Sequence, residues 1–323
     1  MALSGSVDFG ITRDQLITTS LQEVGAIGDG DTPTATQLSE AGILLNMLMK
    51  NWATDGMQLW MRYYGYIFPI HDTNLVQLGA EGGKAATSYV YTQTSATSSS
   101  GATTITVDSI TGISTTNIIG VEQSDGTMHW TTVNGAPSGS IVTLTAALTA
   151  DVAVDAAIYV YATGNILKRP NRILEAYRRE SSSNTDTPMQ LLTNQEYNRL
   201  PNKTEEGTVI QWHYDIPLNL STSGYPGNGD FYFWPRHSDG KYVIVVKYIK
   251  HFDDLDSATQ NPEFPQEWFL PLMKGLSWLL ASKHSVPYQE RKMLMEEANF
   301  LKDAALDHDV ESGSLFIQPR IKQ

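Results

Sequence analysis

The stretch LQEVGAIGDGDTPTATQLSEAGILLNMLMKNWATDG, residues 21–56, decides the architecture. Its second half reads as a helix, because Leu38, Ala41, Leu45, Leu48, Met49 and Trp52 recur at the spacing that lays one apolar stripe along a helical face. Thr34 and Gln37 have the spacing of a capping box at its start, and Gly56 lies near its stop. The first half ends an earlier helix, which Thr12 caps and which carries Leu16, Ile17, Leu21 and Val24 until Gly25, Gly28 and Gly30 interrupt the pattern. A helical hairpin therefore opens the chain.

Beyond it the period changes from helical to extended. Residues 63–70 are aromatic and β-branched, and with a His71-Asp72-Thr73-Asn74 turn and residues 75–78 they predict a β-hairpin. From Ala85 to Leu167 there is no Lys or Arg, while Thr, Ser and Gly abound and short alternating runs appear at residues 104–107 and 141–145, as in a small all-β inserted domain. Further strands are predicted at residues 173–177, 189–192, 209–214, 230–234 and 241–249, with Asp239-Gly240 as a hairpin turn and one helical turn at residues 194–200 capped by Asn194. Two helices close the chain. One starts with Pro265 at its first position, carries Trp268, Leu272, Leu276, Leu279 and Leu280, and meets a potential kink at Pro271; the other starts near Pro287 and carries Leu294, Ala298, Leu301 and Ala305.

The predicted fold class is α+β. Helices from the N- and C-terminal ends form a bundle packed with a mixed or antiparallel β-sheet, and a small all-β domain is inserted. The division reads as a core of residues 1–82 and 164–311, an insert of residues 83–163, and an aperiodic extension of residues 312–323.

A chain of 323 residues with 41% hydrophobic residues can bury a sizeable core. No run approaches the roughly 18 apolar residues of a membrane span. The opening MALSGSVDFGITRDQ has neither the basic nor the apolar region of a signal peptide, so synthesis and folding in the cytoplasm are expected. With no cysteine, disulfide scaffolds, thiol nucleophiles and thiolate metal sites are all excluded. A formal net charge of -13 argues against wrapping around a phosphate backbone, though an acidic wall that lets DNA slide past is compatible with it.

The local signatures of chemistry are missing. Residues 79–84, GAEGGK, resemble a phosphate loop, but Leu78 replaces its first Gly and Ala85 its metal-binding hydroxyl. Asp29, Asp31 and Glu40 fall at calcium-loop spacing, yet Pro33 and Thr34 break that loop, and a helix N-cap segment explains them better. Residues 253–256, DDLD, read as a solvated acidic loop before a metal site. The seven histidines form no HExxH pair and there is no GxSxG elbow, so His129, His213 and His251 read as ordinary packed or surface residues. No catalytic, cofactor or metal residue is assigned.

Binding surfaces are a different matter. Lys168, Arg169, Arg172, Arg178 and Arg179 concentrate positive charge in an acidic chain and suit either phosphate or an acidic surface on a neighbouring subunit; the lack of an aromatic stacking pattern favours the subunit interface, to which Asp253 and Asp254 are also assigned. Aromatics at Trp60, Tyr63, Tyr64, Tyr66 and residues 231–234 fit either a two-sided core or a subunit interface.

In their order, three stretches resemble the head-to-tail adaptors, or tail accessory factors, of short-tailed bacteriophages, the family of packaged-DNA-stabilising head-completion proteins. They are residues 21–56 quoted above, LTNQEYNRLPNKTEEGTVIQWHYD at residues 192–215, and FYFWPRHSDGKYVIVVKYIKHFDDLDSATQNPEFPQEWFLPLMKGLSWLLA at residues 231–281. The insert, which includes SSGATTITVDSITGISTTNIIGVEQSDGTMHWTTVNG, departs from the short members of that family. The resemblance implies a non-enzymatic virion protein of the neck, without cofactor, forming a ring of about twelve copies under the portal protein. It would extend the DNA channel without reading sequence, help retain packaged DNA, and dock the tail hub or nozzle. It further implies a C-terminal segment that reaches the portal, here Leu315, Phe316, Ile317, Pro319 and Arg320. Trp130 is the candidate contact of the insert with a fibre, spike or capsid protein. The alternatives are a virion-associated cell-wall hydrolase and a receptor- or fibre-binding tail protein acting through the insert.

Overall fold

The computed structural model describes residues 5–55, 59–79, 84–217, 227–238 and 240–308. Helices α1 (Arg13–Glu23) and α2 (Ala35–Trp52) come first, then strands β1 (Arg62–Ile67), β2 (Leu75–Leu78) and β3 (Ala85–Ala86). The stretch without Lys or Arg supplies β4 (Val90–Gln93), β5 (Thr104–Thr106), β6 (Ile118–Glu122), β7 (Met128–Thr132), β8 (Ile141–Thr143) and β9 (Ala157–Tyr161). Next are β10 (Arg172–Glu180), β11 (Thr185–Pro188), β12 (Gln190–Leu191) and the short helix α3 (Asn194–Asn198). Strands β13 (Glu206–Gly207), β14 (Gln211–Asp215), β15 (Gly229–Trp234), β16 (Arg236–His237) and β17 (Tyr242–Ile249) lead to helices α4 (Phe269–Ala281) and α5 (Tyr288–His308). The fold is α+β with helices near both ends, and no helix among the described residues is long and apolar enough to cross a membrane.

Two compact units result: one takes the residues up to Met61 and from His251 onward, the other Arg62–Lys250. In the helical unit, α1 and α2 begin with reciprocal capping boxes, Thr12 with Gln15 and Thr34 with Gln37. Both pack on α4, the helix from the far end of the chain. Ser20 and Ser277 keep the α1–α4 crossing close: the Ser20 hydroxyl donates to the Leu16 and Met273 carbonyls at 2.9 and 3.2 Å. Trp52, Trp60, Phe264 and Trp268 form an aromatic knot with centroid separations from 5.1 to 6.3 Å. Phe252 extends it by stacking on Phe264 at 4.5 Å.

In the second unit, three layers are joined by a core and a seam, and the insert adds a core of its own. The sheet of order β11-β10-β17-β1-β3 faces the sheet of order β12-β14-β15-β2 across Ile67, Val76, Leu78, Trp212, Phe231, Phe233, Ile244 and Val246. Its other face meets the insert, where Phe68, Ala86, Tyr159, Tyr161 and Val243 are buried together. Strand β9 has period-two burial on both sides: Ala157, Tyr159 and Tyr161 look toward that seam, while Ile158 and Val160 enter the insert's own core with Ile119, Val121 and Val142. Tyr159 pins the seam through its hydroxyl, which lies 2.7 Å from the Gly240 carbonyl and 2.7 Å from the Ser181 hydroxyl.

Several local expectations are corrected. Strands β1 and β2 form no hairpin: β1 pairs with β17 and β3, whereas β2 pairs with β15 in the opposite sheet. Pro69 in the connection lacks a ladder donor, and a change of sheet there needs none. The core thus has two facing sheets where one was expected. Asp239 lies outside the described residues, and its flanking strands β16 and β17 belong to different sheets, so no hairpin joins them. Thr193, not Asn194, caps α3, since its hydroxyl and Glu196 complete a capping box. Pro265 precedes a 3-10 turn at Gln266–Trp268, and α4 starts only at Phe269. Pro271 then falls in the first turn of α4, where an N–H has no acceptor within the helix, so the helix runs on through it. The residues around Gly56 and in the GAEGGK stretch between Gly79 and Lys84 lie outside the described residues.

Two expected outcomes follow from this packing. A Cβ at Gly120 would stand 2.6 Å from the Trp130 ring, which is rigid and tied by its Nε1 to the Pro69 carbonyl at 3.3 Å. Gly120→Ala should therefore cost about 1–3 kcal/mol in a denaturant titration, and an unchanged midpoint would show that the ring is free to retreat. His237 is buried against Phe233 at 4.9 Å, and burial pushes its pKa from 6.5 down to about 3. The unfolded chain then takes up a proton that the folded one excludes between those values. Stability is fully present above about pH 6.5 and declines toward pH 3, by about 1.4 kcal/mol per pH unit for this group alone. The unfolding free energy of wild type relative to His237→Gln should fall between about pH 7 and pH 4; a constant difference would mean that His237 titrates normally in the folded protein.

Candidate functional site

Most of the charged residues proposed for a subunit interface have partners within the chain. Arg179 stands opposite Asp186 in the β10–β11 ladder, and its guanidinium grips both carboxylate oxygens at 2.8 and 2.9 Å. That hydrogen bonding holds Asp186 below the usual carboxylate range. Arg178 donates to the Val209 carbonyl at 2.9 Å and lies 4.9 Å over the Tyr242 ring. Asp254 pairs with Lys50 at 3.0 Å, and the Asp253 amide donates to Glu263 at 3.3 Å. The acidic loop therefore ties α2 to the approach of α4: the Leu255 amide donates to Asn46 at 3.0 Å, and Arg13 reaches the Asp256 carbonyl at 3.1 Å. Arg172 is exposed, and the Arg169 backbone lies against Gly79.

Trp130 faces inward. Its ring packs near Phe68 and Tyr161 at 5.7 and 6.1 Å, and Lys84 sits 5.2 Å over it, with burial lowering the lysine pKa. Leu315, Phe316, Ile317, Pro319 and Arg320 lie outside the described residues.

The apolar surface lies elsewhere, on the helices. Ile43 and Met47, one turn apart on α2, are 55% and 62% exposed, on the side away from Leu45, Leu48 and Trp52. On α5, Met293 and Phe300 are 60% and 72% exposed, two turns apart, while only Ala298 and Ala305 of that helix are fully buried. Scattered exposed apolar residues need no explanation, but pairs aligned at helical spacing make a face. The signal was present in the sequence as the seven-residue interval from Met293 to Phe300, beside the stripe that reads as buried. A cleft of about 270 Å³ between α4 and α5 adds Trp278, Tyr288 and Met295 to the apolar surface of this unit.

For catalysis the described residues offer little. His71, Asp72 and Glu206 bring one ligand atom each within 4.8 Å of one another. Both carboxylates are exposed, and His71 Nε2 already lies 3.4 Å from Asp72, which makes the group a surface histidine–carboxylate contact with a nearby glutamate. His129 Nε2 lies 3.3 Å from the Ala146 carbonyl inside the insert.

A second cavity, of about 500 Å³, opens on the outer side of the β14–β15 pair and is mainly polar. Cross-strand partners His213 and Tyr232 form its floor, and Tyr197 of α3 covers them at 6.0 and 5.0 Å. Strand alternation explains this placement, because Trp212 and Phe231 on the opposite face fill the core. No family model matches the sequence, and no curated protein matches it.

Proposed function

We propose that the chain is a structural ring subunit at the head-to-tail junction of a short-tailed bacteriophage, docking beneath the portal protein and continuing its DNA channel. The observation that carries this reading is the pair of apolar helical faces, Ile43 with Met47 and Met293 with Phe300, on a unit assembled from both ends of the chain. Side chains of this size, aligned and exposed, favour burial against neighbouring copies by roughly 1.5–3 kcal/mol each. The resemblance of residues 21–56, 192–215 and 231–281 to adaptor proteins supplies the setting. A net charge of -13 suits a wall along which DNA slides without being held. Arg178, Arg179 and Asp254 support the fold of the subunit itself, and the ring contacts fall to the apolar faces. In the insert, Ile141 and Val154, both about half exposed, take the peripheral contact in place of Trp130.

The native mass of the purified chain, measured alone and then with its portal ring, tests this directly. A complex with one chain per portal subunit is expected, and absence of association at every salt concentration would count against the proposal. Met47→Glu combined with Phe300→Glu should abolish that complex while moving the unfolding free energy of the free chain by no more than about 0.5 kcal/mol each, as surface changes do. Removal of residues 312–323 should weaken portal association and leave subunit–subunit contacts intact.

A further inference from the structure

We propose that the cavity on the outer face of β14 and β15 binds a saccharide that carries an acidic group, a uronate or a sugar phosphate. The inference is independent of the ring reading. It rests on what the cavity walls still have to offer once their internal bonds are made.

The aromatic part comes first. Tyr197, His213 and Tyr232 lie together at centroid distances of 5.0 to 6.0 Å, with the His213 ring within 22° of both tyrosine planes. Such a cluster presents flat C–H-rich and π surface to a sugar ring, and its polar edges stay available for hydroxyls. Asn74 fixes Tyr197 by donating to its hydroxyl at 2.6 Å, which leaves the phenol proton free to be donated onward.

Two buried atoms then define the ligand. His213 Nδ1 lies 3.1 Å from the Leu192 carbonyl, and since a carbonyl only accepts, Nδ1 carries the hydrogen. In the neutral ring Nε2 is consequently an acceptor, and it has no hydrogen-bond partner among the described residues. It calls for a hydroxyl donor. Arg236, on the cavity wall, has the opposite need: its buried Nε–H lacks an acceptor among the described residues. Buried polar atoms without partners are uncommon in native proteins, and these two belong to residues that line the same cavity, where a bound group could supply the missing bonds. Lys203, 5.0 Å over the Tyr197 ring, adds a second positive charge, and Asp215 adds an acceptor for further hydroxyls.

Two cationic donors, one acceptor needing a hydroxyl and a cluster of rings are together satisfied by a hydroxylated ring bearing an anion. A bare anion would leave His213 Nε2 and the rings unused, and a neutral sugar would leave Arg236 unanswered. The volume of about 500 Å³ admits one or two sugar units. Asp215 is the one carboxylate among the described lining residues, and a single carboxylate beside two cations suits recognition of a charged sugar.

The test is saturation-transfer NMR on the full-length chain with glucuronate, glucose 6-phosphate, glucose, acetate and inorganic phosphate as probes. Saturable binding of glucuronate or of glucose 6-phosphate is expected, and whichever binds identifies the acidic group as carboxylate or phosphate. Affinity should drop at least about tenfold in Arg236→Met and in Tyr232→Leu. Lys203→Met, at a half-exposed position, should weaken binding without disturbing the fold, and so serves if the Arg236 variant fails to fold. Failure of both charged sugars to bind overturns the proposal. It is equally overturned if glucose binds as well as they do, if acetate or phosphate alone binds as well, or if binding survives unchanged in both Lys203→Met and Tyr232→Leu.

Discussion

Strand β17 is buried on both faces, and the second unit is organised around that constraint. Ile244 and Val246 point into the core shared with β14 and β15, while Val243 points into the seam with the insert. A strand in that position needs hydrogen-bonded neighbours on both edges, and β1 and β10 supply them through antiparallel ladders. Each fully buried valine or isoleucine contributes roughly 1.5–3 kcal/mol, so this single run stabilises three layers at once. The insert is therefore held by a continuous apolar seam. Tyr159 completes it by hydrogen-bonding to Gly240, just before β17 begins.

The helical unit depends on contacts between residues more than 200 positions apart. Lys274 of α4 illustrates this by pairing with Glu23 of α1 at 2.5 Å, and it also holds Glu297 of α5, nearer in sequence, at 3.0 Å; both glutamates raise its pKa. Together with the aromatic knot, this crosslinks segments that could not fold as separate units, because short isolated helices gain too little from their own hydrogen bonds. The acidic loop at residues 253–256 belongs to the same logic. Its amides and carboxylates are used on Asn46, Lys50, Glu263 and Gln260, which makes it a structural clasp for the return of the chain.

Helices were legible because period and caps act locally: Thr12 and Thr34 announced α1 and α2, and of the stripe read on α5 Ala298 and Ala305 are buried while Leu294 and Leu301 are only partly so. Strands were legible as segments but not as partners. Nothing in residues 63–78 says that Ile67 and Val76 belong to facing sheets, since pairing is decided by what lies across from each strand, and for β2 that is β15, about 150 residues away. The cavity was hidden for the same reason. His213 and Tyr232 alternate with core residues and so read as outward-facing, but only the β14–β15 register and the placement of α3 bring Tyr197 over them. Atoms without a partner among the described residues, such as Arg236 Nε, are a property of the packed structure and leave no trace in sequence.

The two surfaces differ in the physics they use, and this separates them. The apolar faces of α2 and α5 gain from removing hydrocarbon from water, a non-directional effect that tolerates variation in partner detail and suits repeated contacts between copies. The cavity above β14 and β15 gains from directed hydrogen bonds to atoms that would otherwise lack them, so it discriminates by chemical group. Each set lies in its own compact unit, with Ile43, Met47, Met293 and Phe300 in the one and His213, Tyr232 and Arg236 in the other. The proposed assembly surface and the proposed ligand cavity can thus be probed by separate sets of substitutions.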